Sequence, residues 1–194
     1  MRARVVFLVV ACIAAAGGVA QADADLVRDP DDTSGRLDVR YIRHGHGTEM
    51  RLLRHRISTR SEWRNRLLRR RGAGRIYLLF STRRGDCAEL RMRLARRNGE
   101  LRAALQSYDP IGCGPYDDFG GQSNFQRVDA EIERRRGTDL IVTFPRRELG
   151  RGVEEYKWSV WTELKSRRCE RRCTDFAPDE GGARHGVLLH DLDG

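Results

Sequence analysis

LIVTFPRRELGRGVEEYKWSVWTELK, residues 140–165, reads as two apolar strands separated by a proline-containing corner and a short polar crossover. Leu140 to Phe144 is a continuous apolar run, and Pro145 ends it or sits at its edge, because proline has no amide hydrogen for a ladder. Arg146 to Leu149 suits one helical turn. Glu155 to Lys165 is the last long strand, with Tyr156, Trp158 and Val160 on one face at period two. Trp161 points the other way, so both faces of this strand are expected to be covered.

The upstream segments supply partners for these strands. Phe125 to Glu133 alternates through Val128, Ala130 and Ile132, and Gly137 turns the chain into Leu140. Leu90, Met92 and Leu94 alternate before Asn98-Gly99, with Leu101 and Leu105 beyond; Asn-Gly suits the positive φ angles of a tight hairpin. Those two loop residues place Arg97 opposite Glu100. Arg75 to Ser81 reads as a buried strand between glycines. Leu37 to Tyr41 and Met50 to Ile57 are strands about a turn at His44-Gly-His46-Gly. Ser61 to Arg71 is a short helix or irregular strap, Tyr108 to Ser123 a long loop, and the chain after Lys165 a cysteine-bearing loop and tail. Seven to nine strands without intervening helices predict an all-β antiparallel β-sandwich, jelly-roll-like, in one domain over residues 36–194. Asp23 to Gly35 reads as an acidic extended leader, and no internal repeat is visible.

The N-terminus predicts export. Arg2 and Arg4 precede an apolar run from Val5 to about Val19, and Ala20-Gln-Ala22 and Ala22-Asp-Ala24 offer small residues for cleavage. A signal peptide over residues 1–22 and a secreted chain follow. Val9-Val-Ala-Cys12 resembles a lipoprotein box, but apolar sequence continues past Cys12, which argues against anchoring there. Cleavage after Ala22 leaves 35 basic and 28 acidic residues, a net charge of +7, and no remaining apolar run long enough to span a bilayer. Of 37 basic residues only Lys157 and Lys165 are lysine, a bias that points away from nucleic acid. The basic surface could still draw in teichoic acid, anionic polysaccharide or acidic lipid.

Cleavage also leaves four cysteines, an even number suited to an oxidising compartment. The hairpin register puts Cys87 opposite Pro110, close to Cys113, and predicts a Cys87–Cys113 bridge. Cys169 and Cys173 close a local ring.

Candidate ligands are few. His44 and His46 could share a metal with Glu49 or His55, against the plainer reading of a polar turn. Asp29, Asp31, Asp32 and Asp38 could form a calcium site, against an acidic turn capping the first strand. The stretch is not an EF-hand, because Ser34 and Arg40 stand at the sixth and twelfth positions. Trp161, Trp63 and Tyr156 are candidates for a sugar-binding platform, although period-two aromatics are also core residues. No serine-hydrolase elbow, phosphate loop or zinc-protease motif is present, so no catalytic residues are assigned.

Three stretches, Asp29-Pro-x-Asp-Thr-x-Gly-x-Leu-Asp-Val39, Tyr156-Lys-Trp-Ser-Val160 and Cys173-x-Asp-x-Ala-Pro-Asp-x-Gly181, resemble landmarks of small uncharacterised secreted proteins of high-GC Gram-positive bacteria. More distantly, Phe144-Pro145, Leu149-Gly150 and the Trp158 strand resemble the final hairpin of family-nine carbohydrate-binding and DOMON-like sandwiches. The resemblance implies a fold and no activity. The resulting expectation is a secreted, non-catalytic module for glycan or cell-envelope polymer; the alternative is an accessory envelope protein whose partner is another protein.

Overall fold

The computed structural model describes residues 26–46, 51–69, 72–82, 88–107, 125–153, 155–169, 172–178 and 188–191, with the backbone alone for 46 and 188–191. The signal-peptide residues 1–22, Cys12, Glu49, Cys87 and Cys113 lie outside these, as does the side chain of His46. The fold is all-β, with two antiparallel sheets. The first has the order β1 (Leu26–Arg28), β2 (Val39–His46), β3 (Leu52–Thr59), β9 (Asp139–Pro145), β8 (Glu131–Arg135). The second has the order β11 (Cys173–Ala177), β10 (Glu155–Leu164), β4 (Gly74–Ser81), β5 (Leu90–Arg97), β6 (Glu100–Ser107), β7 (Gln126–Arg127). The last strand, β12 (Leu188–Asp191), pairs with the start of β10, on the edge that β11 occupies further along.

The sheets face each other across one core, because alternate residues of the central strands are apolar. Leu53 and Ile57 on β3, with Leu140, Val142 and Phe144 on β9, meet Ile76, Leu78 and Phe80 on β4 and Trp158 and Val160 on β10. Trp158, at the centre, is fully buried. Full burial of a side chain of this kind stabilises by about 1.5–3 kcal/mol.

The connectivity differs from the jelly-roll-like winding expected. A hairpin β2–β3 crosses to a hairpin β4–β5, and a hairpin β8–β9 crosses in the same way to β10–β11. β3 pairs antiparallel with β9, and β4 with β10, so an approximate twofold axis relates the two units. Each crossing contains one turn of 3-10 helix ending on a buried leucine, Leu68 at Asn65–Leu68 and Leu149 at Arg146–Leu149. The sequence carries no visible trace of this repeat.

Residues 140–165 therefore place one interior strand in each sheet, next to an edge strand, and the two do not pair with each other. The β5–β6 register is the one that Asn98-Gly99 predicts: Arg97 pairs with Glu100, and both loop residues have positive φ, 50° and 91°. Three local readings change. The alternating run 125–133 is not one strand but β7 and β8 in different sheets. His44 lies within β2 and not in a turn. The chain beyond Lys165 rejoins the second sheet as β11 and β12, and the described strands number twelve. Part of the stretch read as a leader supplies β1, paired with Tyr41–Arg43.

Candidate functional site

Residues 29–38 leave β1, pass over the edge of the sandwich and re-enter it as β2. Side chains and backbone fix this strap to β10 and β11. The Thr33 hydroxyl donates to the Thr174 carbonyl at 2.9 Å, and the Thr162 hydroxyl donates to the Leu37 carbonyl at 2.8 Å. The Val39 amide donates to Asp175 Oδ2 at 2.5 Å. Gly35, at φ 140°, passes so close that a Cβ there would come within 2.5 Å of Leu164 Cδ2. Only glycine meets both demands. The Cys169–Cys173 disulfide, with Cα atoms 5.4 Å apart, closes the turn between β10 and β11 beside the strap.

Between strap and turn lies a cleft of about 720 Å³. Asp31, Asp32 and Asp38 contribute acid to it, and Arg36, Arg60, Lys165 and Arg168 contribute base. Arg60 is held within this set, pairing with Asp38 at 3.3 Å and Asp31 at 3.8 Å and donating to the Asp29 carbonyl. Lys165, Arg168 and Arg36 are exposed on the rim.

The four aspartates singled out in the sequence divide here. Arg60 neutralises Asp31 and Asp38. Asp29 and Asp32 instead meet Asp175 of β11, with one oxygen of each carboxylate within 4.8 Å of the others. Asp29 and Asp175 are buried and Asp32 is exposed. Burial, with the negative charges of Asp32 and Asp38, pushes the Asp175 carboxyl up to about 7 against the pull of the Val39 and Phe176 backbone. Burial likewise raises Asp38 to about 6; Arg60 opposes this and Asp31 adds to it. Strongly shifted carboxyls in a cleft mark functional corners more often than ordinary surface. Sequence spacing could not have found Asp175, which reaches the cluster only through the pairing of β11 with β10 and the passage of the strap.

The aromatic candidates are placed elsewhere. Trp161 does face away from the core, but it is only 6% exposed, stacked on Tyr77 at 5.1 Å between ring centres and packed against Phe176. Tyr156 is buried in the core, its hydroxyl 2.8 Å from His55 Nε2, and burial pushes its phenol pKa up. Trp63 is buried under the Arg134 guanidinium, 3.6 Å from its ring centre. None of the three offers an open face to a sugar ring.

His44 and His55 are neighbours across β2 and β3, both buried. His55 stacks on Phe144 and meets Trp158 edge-on at 4.5 Å, the surroundings of a core histidine. Among the described residues, neither joins a group of three metal-ligating side chains. No helix among them is long and apolar enough to cross a membrane. No family model, curated protein or solved structure matches the chain.

Proposed function

We propose that this protein is a secreted, non-catalytic binding module whose ligand is a hydroxyl-rich, anionic polymer of the cell envelope, held in the cleft between the strap and the disulfide-closed turn. The observation that carries this reading is the composition of the cleft, which sets free basic side chains beside the exposed carboxylates of Asp31 and Asp32. Lys165, Arg168 and Arg36 suit phosphate or carboxylate groups, and Asp31 and Asp32 can accept hydrogen bonds from hydroxyls. The burial of Trp161, Trp63 and Tyr156 moves recognition from stacking to charge and hydrogen bonding. The chain's net charge of +9, or +7 after cleavage at Ala22, favours encounter with such polymers over long range.

Binding to cell-wall fractions with and without their teichoic acid tests the reading. The wild-type chain is expected to be retained on the anionic fraction, and the double variant Lys165→Ala, Arg168→Ala to lose at least tenfold in affinity. No retention on any wall fraction sinks the proposal. Capture of a single protein from culture supernatant, unaffected by the double variant, would favour the accessory-protein alternative.

A further inference from the structure

Three carboxylates meet beside the hydrogen bonds that fasten the strap to β11, and like charges repel. Asp29 and Asp175 are 4% and 3% exposed, and their carboxylate oxygens and that of Asp32 lie within 4.8 Å of one another. Asp175 Oδ2 takes the Val39 amide, the Phe176 backbone also stabilises the carboxylate, and Oδ1 is buried without a well-aligned hydrogen bond of its own. Arg60, which holds the strap through the Asp29 carbonyl, is engaged with Asp38 and Asp31. A buried anion with no cation or proton beside it costs several kcal/mol, even where backbone amides meet one of its oxygens. We propose that Asp29, Asp32 and Asp175 form a calcium site that fastens the strap to β11.

The chemistry of the set favours calcium. All three donors are hard carboxylate oxygens, with no imidazole or thiolate to select zinc or copper. Calcium accepts six to eight oxygens in flexible geometry, whereas magnesium keeps most of its water and rarely fills an all-protein cage. Two of the acids come from one end of the chain and the third from a strand 143 positions beyond Asp32, so the ion would bridge segments that share no local turn. Asp32 also lines the cleft, which couples the ion to the shape of its wall. Asp32 is shared with the cleft, so the test uses calcium alone, and its failure is distinguishable from a failure of polymer binding.

Calorimetric titration of the full chain with calcium chloride, paired with thermal unfolding in calcium or chelator, tests it. Binding is expected with Kd of about 0.1–1 mM or tighter, the range of extracellular modules. Saturating calcium is expected to raise Tm by about 5 °C or more over chelator. Asp175→Asn keeps an acceptor for the Val39 amide and is expected to weaken calcium at least tenfold. Asp32→Asn, at an exposed position, is expected to do the same, and in chelator, where it relieves repulsion on Asp175, to leave Tm no lower than wild type. Asp31→Asn and Glu100→Gln, which remove the same charge outside the triad, are expected to change affinity by less than threefold. The proposal is overturned by no calcium binding at millimolar concentration, by unchanged affinity in Asp32→Asn, or by magnesium binding as tightly as calcium.

Discussion

Two clusters of polar side chains among the described residues are built on opposite principles. Near the start of β10, His55 and Tyr156 satisfy each other within a box of Phe80, Phe144 and Trp158. Both partners are neutral-capable, and the aromatic walls exclude water without leaving a charge behind. Further along the same edge, Asp29, Asp32 and Asp175 bring three acids together, and Asp175 keeps an oxygen unpartnered. In the first cluster the two polar side chains pair with each other and no charge is buried, so it reads as structure. In the second, three like charges meet and one oxygen of Asp175 has no well-aligned hydrogen bond, which is the mark of a corner that meets something else. Buried polar groups are informative when the molecule does not satisfy them itself.

The comparison can be broken at its apolar side first. Trp158→Ala removes the largest wall of the closed cluster and is expected to cost about 3–5 kcal/mol in urea unfolding. A loss below about 1 kcal/mol would mean that the box is loosely packed and the contrast false. The acidic side gives the next effect, read in chelator. Between pH 4 and pH 7 the folded chain holds a proton on Asp175 that the unfolded chain, at its ordinary 3.8, has released. Stability therefore falls as pH rises through that window, by about 1.4 kcal/mol for each unit of difference between the two pKa values, and levels off above pH 7. Asp175→Asn is expected to flatten the slope between pH 6 and pH 7, above the range in which Asp38, raised to about 6, adds its own share; an unchanged slope there would place the titration elsewhere. The smallest effect belongs to Tyr156→Phe, which leaves His55 Nε2 without its 2.8 Å partner and is expected to cost about 1–3 kcal/mol with no change under calcium. A calcium response in that variant different from wild type would join the two clusters that the comparison separates.

What could be seen in the sequence was what local chemistry decides. Asn98-Gly99 fixed its own hairpin and hence the whole β5–β6 register, because few residue pairs tolerate two positive φ angles. Alternation showed which face Trp161 takes but not what lies over that face; Tyr77 and Phe176 cover it. The same alternation concealed the change of sheet between β7 and β8, since period two continues whether the strand runs on or crosses. The Cys169–Cys173 ring was legible from four-residue spacing. The acid cluster was half legible. Asp29 and Asp32 stood out in an acidic turn, whereas Asp175 depends on long-range pairing, and Arg60 had no local signal to show that it would neutralise Asp31 and Asp38.

Hydrogen–deuterium exchange of the full chain, with calcium and with chelator, tests the contrast most directly. Calcium is expected to slow exchange at least tenfold across residues 29–39 and 173–177 while leaving β3 and the Tyr156–Val160 segment unchanged. Equal exchange in the two conditions at residues 29–39 and 173–177 would contradict it.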